Sequence, residues 1–155
     1  MARIEERLKE LGITLPEMTT PVANYVPWVR SGSLVFVSGQ ITMGANKVLH
    51  YVGAVGSEFN VEDGRKAARM AAVNVLAAVK DATGGNLDRV IRVVKVTGFV
   101  NAVPGFSQHP DVVNGASDLF VEVFGDAGRH ARAAVGASSL PRNVAVEIEA
   151  IFEVS

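Results

Sequence analysis

The C-terminal stretch 131–155 contains the residues that are best suited to chemistry. Arg132 carries a planar guanidinium, which can bind both oxygens of a carboxylate at once. Glu147 and Glu149 follow on a segment in which apolar and charged residues alternate, and a carboxylate there can accept or release a proton. The three side chains suggest an anion-binding arginine beside a proton-handling acid, provided that the fold brings them together.

The segment 144–154 has the two-residue period of a β-strand with one buried face. Its apolar side holds Val144, Val146, Ile148, Ala150, Phe152 and Val154, and its other side holds Glu147, Glu149 and Glu153. The segment 132–137 is short and extended in character, and turn-forming residues at 138–143 separate the two. We therefore predict a β-hairpin that places Arg132 opposite 147–149, with Cβ atoms about 4.5–5.5 Å apart.

This pairing has two interpretations. In the first, Arg132 and the glutamates form a cross-strand salt bridge on a solvated face, where an ion pair contributes little to stability. In the second, the guanidinium binds an anion from solution and a neighbouring carboxylate transfers a proton. The strand pattern by itself does not choose between them.

Composition narrows the class of protein. The chain has 155 residues, of which 48% are hydrophobic and 20% charged, so it can form one domain with a sizeable core. A net charge of −1 gives no general attraction to nucleic acid or anionic membranes. Because the chain has no cysteine, disulfides, thiolate catalysis and cysteine-bound zinc are excluded. No apolar run resembles a signal peptide or a membrane span, so we expect a cytoplasmic protein.

Periodicity predicts the elements that position these residues. Residues 1–20 read as a short helix and a connector that precede a single domain over 21–155. Two longer amphipathic helices are predicted, one capped by Asn60 and ending near Ala82, the other from Pro110 to Gly125. Strands are expected at 25–30, 34–37, 48–52 and 88–100, the last with a bulge.

The two helices each present one apolar stripe, which favours a two-layer α+β domain with both helices packed on one face of a mixed β-sheet. The other face is then uncovered. It is expected to expose Ala145 and Ile151 beside the glutamates, and a partly apolar open face predicts association between copies of the chain.

Three stretches carry a resemblance to a known family: NYVPWVRSGSLVFVSGQI, DRVIRVVKVTGFVNA and HARAAVGASSLPRNVAVEIEAI. They resemble the Rid family, also called the YjgF family, whose best-known members are imine/enamine deaminases. The motif that starts at Arg132 and ends at Ala150 is the strongest match, and SGQI at 38–41 is the second. Together the matches span most of residues 22–154 in the family's order.

The resemblance implies a chorismate-mutase-like fold and a homotrimer with clefts between subunits. It implies hydrolysis of 2-imino or 2-enamino acids to 2-keto acids and ammonia, with no metal or organic cofactor. The implied catalytic residues are Arg132, which would hold the substrate carboxylate, and Glu147, which would position or activate water. The implied substrate-binding residues are Tyr25, Ser38, Gly39 and Asn114.

Each of these residues also has a structural interpretation. Tyr25 suits an interface, Asn114 a solvated helix position, Gly39 close strand packing, and Glu147 a structural role. Glu149 is read as a surface or intersubunit ion-pair partner. His50, His109 and His130 do not cluster in the sequence and are not expected to bind metal.

The chain departs from the compact members of the family in four places. Ala134 stands where many members have cysteine, segment 1–20 is longer, and 101–109 and 126–130 look altered. The chain therefore resembles a longer sub-branch, which leaves its physiological substrate open. A trimer that binds small carboxylates or proteins without turnover is the alternative function. Ribonuclease activity is a third possible function, which the near-neutral charge of the chain disfavours because RNA binding normally requires positive charge.

Overall fold

The computed structural model describes residues 3–18 and 23–155 of the chain. These residues form three α-helices, α1 (Arg3–Glu10), α2 (Val61–Ala82) and α3 (His109–Phe124). They also form five strands, β1 (Trp28–Ser31), β2 (Leu34–Gln40), β3 (Val90–Asn101), β4 (Ala131–Ala137) and β5 (Val146–Val154). The strands make one sheet in the order β1-β2-β5-β3-β4, in which only the β3–β4 pair is parallel. The predicted mixed sheet is confirmed.

Both long helices pack on the same face of the sheet. α2 lies against β2 and β5, and α3 lies against β3 and β4. The buried side chains between the layers come from the alternating positions of the strands, such as Val35, Val96 and Phe152, and from the apolar stripes of both helices. α1 adds Ile4 and Leu8 to the same core. The structure is therefore the two-layer α+β domain that the pattern predicts.

The helix ends follow the local sequence. Asn60 accepts a hydrogen bond from the backbone of Asp63, whose carboxylate accepts one from the backbone of Asn60, so both residues satisfy N–H groups that an uncapped helix leaves free. α3 ends at Gly125, whose φ of 64° lies in the region that favours glycine. Pro110 is the second residue of α3, not its first.

The two long helices cross closely at Gly115. A Cβ atom at this position would lie 1.9 Å from the carbonyl oxygen of Arg65 in α2. Glycine is therefore required here because the backbone of α2 occupies the space that a side chain would fill. The same helix rests on β3 where Gly98 leaves room for Val113. These contacts fix α3, and the polar residues on it, against the sheet.

The predicted C-terminal hairpin is wrong. β4 and β5 do not pair with each other: β4 is parallel to β3, and β5 is antiparallel to the other edge of β3. The reason is that β3, α3 and β4 form one βαβ unit, in which a helix links two parallel neighbouring strands. The residues between β4 and β5 then carry the chain across β3, a longer path than a tight turn.

Other expectations are confirmed or corrected in detail. β3 does contain irregular register, between Val90 and Arg92 and between Val93 and Lys95. Segment 48–52 forms only isolated bridges, Met43 to Leu49 and Val52 to Val144, because positive φ angles at 46, 47 and 51 interrupt it. Ala145 is fully buried in the core and not on the uncovered face; it lies just before β5, where its backbone N–H donates a hydrogen bond to the carbonyl of Tyr51.

Candidate active site

Arg132 lies in β4, one of the two edge strands, and its side chain points toward α3. Its Nη1 atom donates hydrogen bonds to Asn114 Oδ1 at 2.8 Å and to Ser117 Oγ at 3.1 Å. Both acceptors belong to α3, and they face Arg132 because residues three apart lie on the same side of a helix. Nη1 has two protons, so these bonds use both of them. The guanidinium is therefore held at one end and is only half-buried.

The other donors of this guanidinium remain available. Within the described residues 3–18 and 23–155, Nε and Nη2 have no hydrogen-bond acceptor, and Arg132 forms no ion pair with a carboxylate. Nε and Nη2 together form the side-on edge of the guanidinium, which matches the two oxygens of a carboxylate. An external carboxylate is the ligand that this edge fits.

Asn114 and Ser117 fix the direction in which the guanidinium of Arg132 points. Asn114 is half-buried, and its amide oxygen accepts from Arg132, so it is not the solvated helix position that the sequence left open. Ser117 Oγ also lies 2.8 Å from His130 Nε2, and His130 Nδ1 lies 2.6 Å from the carbonyl oxygen of Gly128. Ser117 and His130 were missed in the sequence. Their signals were spacing: Ser117 follows Asn114 by one helical turn, and His130 precedes Arg132 by one strand period.

Glu147 lies on the open face of the sheet, which is the face opposite α2 and α3. Burial raises the pKa of its carboxyl above the usual value, and the nearby charge of Glu149 raises this pKa further. Glu149 shares this face because the two residues are one strand period apart, and it is exposed. A raised pKa brings a carboxylate closer to the range in which it exchanges protons near neutral pH.

Ser38 and Gly39 sit at a bulge in β2. Val37 pairs with Ala150 and Gln40 with Ile148, so two residues of β2 face the single residue Glu149. A Cβ atom at Gly39 would lie 3.0 Å from both Cδ and Oε2 of Glu147. The absence of a side chain at position 39 therefore leaves space for the Glu147 carboxylate.

Tyr25 is exposed, with 61% of its surface accessible. It belongs to the irregular segment before β1. Ser38 ties β2 to this segment, because its hydroxyl donates to the carbonyl of Val26 at 2.6 Å and its backbone N–H donates to the carbonyl of Pro27.

Five of the six candidate residues, all except Tyr25, form two groups on opposite faces of the sheet. Arg132 pairs across the sheet with Val96, a core residue on the helix face, whereas Glu147 pairs with Phe99, three positions along β3 and so on the open face. Arg132 and Asn114 thus form one group, and Glu147, Ser38 and Gly39 the other. The expected proximity of Arg132 and Glu147 within one chain is wrong, and so is the cross-strand salt bridge between them.

One cleft of the structure lies away from both groups. A cleft of about 440 Å³ separates α1 from the C-terminal end of α3, and the described residues that line it include none of the six candidates. Across residues 3–18 and 23–155, no three His, Cys, Asp or Glu side chains come close enough to hold a metal ion. No helix in the described part of the chain has the length and hydrophobicity needed to cross a bilayer.

Comparison with known proteins places the chain in a family. Residues 5–153 match the model of a family described as "YjgF/chorismate_mutase-like, putative endoribonuclease". The crystal structure of Atu1372 from Agrobacterium tumefaciens, a protein described as having unknown function, is 50% identical and superposes with a TM-score of 0.91, covering 98% of this chain and 94% of that one.

Two curated relatives extend the comparison. Protein TCP17 of Trypanosoma cruzi is 44% identical over 99% of this chain and 95% of its own. A protein of the mite Dermatophagoides farinae, named 2-iminobutanoate/2-iminopropanoate deaminase, is 30% identical over 90% of this chain and 92% of its own. The match to the family model covers nearly the whole chain, and the two-layer architecture agrees with it. The chain belongs to the YjgF/chorismate mutase-like family, the Rid family that its motifs resemble.

Proposed function

We propose that the protein hydrolyses 2-imino or 2-enamino acids to 2-keto acids and ammonia. In this proposal Arg132 holds the substrate carboxylate and Glu147 positions the attacking water. The observation that carries it is the state of Arg132: its Nη1 atom is fixed to α3, and its Nε–Nη2 edge has no acceptor within the described residues. The mite relative, named as an imine deaminase, supports the reaction class.

The chemistry requires an acceptor for one proton of water. Water adds to C2 of the imino acid while Glu147 takes a proton from it, and the imine nitrogen becomes protonated. The amino nitrogen of the resulting carbinolamine then takes the proton back from Glu147 and leaves as ammonia: the C2–N bond breaks and its electrons leave with nitrogen. The hydroxyl proton is released to solvent as the carbonyl forms, which balances the proton that the imine nitrogen took up from solvent. A 2-enamino acid first moves a proton from nitrogen to C3. The raised pKa of Glu147 makes its carboxylate a stronger base for the first step.

The two groups of residues must meet for this reaction, and one chain keeps them on opposite faces. β3 also separates their strands, which places β4 and β5 two strand spacings, about 9–10 Å, apart. We therefore include in the proposal a homotrimer whose sites lie between subunits, with Arg132 and Asn114 from one copy and Glu147, Ser38 and Gly39 from the next. Tyr25, exposed on its own chain, suits the mouth of such a site.

The open face provides the surface for this association. Val29, Phe36 and Ile151 are consecutive partners across β1, β2 and β5 on this face. Phe36 is 41% exposed and Val29 53% exposed. A continuous row of apolar side chains on an uncovered sheet is a surface that a second copy of the chain can bury.

The direct test is the substitution Arg132→Ala, assayed with freshly generated 2-iminobutyrate. We expect kcat/KM to fall at least about 30-fold, because losing one partner of a desolvated charge pair costs about 2–5 kcal/mol and each 1.4 kcal/mol is a factor of ten. Arg129→Ala is the matched control, since Arg129 lies close in sequence, is exposed and forms an ion pair with Asp126 at 3.5 Å.

Three outcomes separate the functions. Loss of turnover in Arg132→Ala with activity kept in Arg129→Ala supports the deaminase. Unchanged turnover in Arg132→Ala contradicts it. Keto-acid binding by the wild-type protein without any acceleration of imine hydrolysis instead identifies the alternative, a trimeric module that binds small carboxylates or proteins without catalysis.

A further inference from the structure

A chain of hydrogen bonds runs behind Arg132, away from its available edge. It connects Arg132 Nη1 to Ser117 Oγ at 3.1 Å, Ser117 Oγ to His130 Nε2 at 2.8 Å, and His130 Nδ1 to the carbonyl oxygen of Gly128 at 2.6 Å. The residues come from α3, from the turn that follows it, and from β4.

The protons along this chain can be assigned from its far end. A carbonyl oxygen only accepts, so the short contact to Gly128 requires the proton of a neutral imidazole to be on Nδ1. Nε2 is then an acceptor, and the Ser117 hydroxyl donates to it. The oxygen of Ser117 consequently directs a lone pair at Arg132 Nη1. Each bond in the series fixes the direction of the next.

The surroundings of His130 favour its neutral form. Burial lowers the pKa of the imidazole, the Gly128 carbonyl acts in the opposite sense, and the positive charge of Arg132 lowers this pKa further. The ring is also held by packing, with its centroid 5.9 Å from that of Phe120 in an edge-to-face arrangement. His130 is therefore an oriented acceptor and not a freely rotating surface histidine.

This series of hydrogen bonds determines which edge of the Arg132 guanidinium faces outward. Nη1 has two protons, one bonded to Asn114 and the other to Ser117. With both used, the Nε–Nη2 edge is the one left for a bidentate contact. Without Ser117, Nη1 keeps only Asn114, and the long side chain regains rotational freedom that binding must remove.

We propose that Ser117 and His130 are positioning residues of the carboxylate subsite, which hold Arg132 so that its Nε–Nη2 edge receives the substrate. The inference rests on the proposed deaminase function and adds two residues to it. Neither residue touches the substrate: both act through Arg132. Their contribution is to carboxylate binding and not to the chemical step, so it falls on KM and not on kcat.

The first test compares kcat and KM for 2-iminobutyrate in the full-length protein. Ser117→Ala is expected to raise KM about tenfold, the usual value of a hydrogen bond to a charged group, while kcat changes by less than about twofold. Ser117→Thr keeps the hydroxyl and should restore most of the affinity. Ser138→Ala removes an exposed serine of the turn before β5 and is the matched control, with no expected change.

The second test removes the acceptor. His130→Phe keeps an aromatic ring beside Phe120 but has no ring nitrogen, and it should raise KM in the same way. The double variant with Ser117→Ala should have a KM no higher than that of the stronger single variant, because both changes break the same series of hydrogen bonds. Fully additive effects on KM would mean that the two residues act separately and would overturn the inference.

A third measurement needs no variant. Nitrogen-15 NMR of the wild-type imidazoles reports which ring nitrogen carries the proton, and we expect Nδ1 for His130. Protonation at Nε2 would reverse the chain and contradict the inference. If Arg132→Ala retains turnover, the proposed function itself fails; if Arg132→Ala is inactive while Ser117→Ala and His130→Phe keep the wild-type KM, only the role of the two positioning residues fails.

Discussion

At the scale of single residues, the environment of Glu147 disfavours the ionised carboxylate, which lowers the stability of the fold at neutral pH. Its pKa is raised, first by burial and then by the charge of Glu149, so the fold favours the protonated carboxyl over the ionised one. The stability that this residue contributes is present below the usual carboxyl pKa and is lost as the pH rises through the raised value. At neutral pH the ionised group therefore costs stability, as expected of a residue kept for chemistry.

This predicts opposite effects of Glu147→Gln on stability and activity. The thermal midpoint should rise at about pH 7.5, where the substitution removes a disfavoured charge, and the difference should shrink at about pH 4, where the wild-type carboxyl is protonated. Turnover should fall at least about 100-fold. Glu153→Gln, on the same face of β5, is the control. A midpoint that falls at neutral pH would show that the carboxylate stabilises the fold.

Glu149 allows a separate test of the cause of this pKa. Because the charge of Glu149 raises the pKa of Glu147, Glu149→Gln should lower that pKa and move the acidic limb of the pH–rate profile to lower pH. The profile of kcat/KM reports this limb for the free enzyme. An unmoved limb would assign it to another group.

The sequence predicted these residues one by one better than it predicted how they are arranged. Arg132 and Glu147 stand out because their types and motif are local properties. Their separation on two faces depends on the register of β3 with both neighbours, which is a property of distant segments. Ser117 and His130 were missed because their spacing from Asn114 and Arg132 is a common local pattern, which acquires meaning only when α3 and β4 are packed together.

At the scale of elements, the sequence predicted helices more accurately than strand pairing. The capping residue Asn60 and the terminal Gly125 define α2 and α3 through contacts within one turn of chain. The hairpin prediction failed because it treated two neighbouring strands as partners. A strand, a helix and a strand in succession, as at 90–137, indicate a parallel pair, and this signal outweighs proximity in the sequence.

The packing of α3 against α2 makes a prediction at this scale. Gly115→Ala places a methyl group against the Arg65 carbonyl and forces the helices apart, so the protein should lose about 3 kcal/mol of stability, the upper part of the range for overpacking. Denaturant unfolding measures this loss. Asp118→Ala, at an exposed position of the same helix, should change stability by less than about 0.5 kcal/mol. Equal stability of both variants would mean that the helices slide apart without cost.

At the scale of the whole molecule, the pattern predicted two layers and an uncovered face, because the amphipathic period of each element states which side must be buried. The pattern did not predict that the sheet separates the candidate site residues into two groups on opposite faces. That division follows from the sheet order, in which β3 lies between β4 and β5, and from the register, which places Arg132 and Glu147 on opposite faces.

The division predicts complementation between defective copies. Arg132→Ala and Glu147→Gln chains should each be inactive alone. Co-expressed in equal amounts, they should recover about a quarter of the wild-type activity, since a site between two subunits of a cyclic trimer works when one neighbour supplies the arginine and the other the glutamate. If one chain supplied both residues, every site in the mixture would have a lesion and no activity would return.

The position of β3 between the strands of Arg132 and Glu147 has a genetic consequence. In the proposed trimer, a subunit that lacks both residues inactivates the two sites that it shares with its neighbours. A trimer with one such subunit therefore keeps one active site. A cell that expresses normal and doubly defective alleles together would keep less than half of its activity. Loss of function in this protein would then be partly dominant, although each allele encodes a chain that folds.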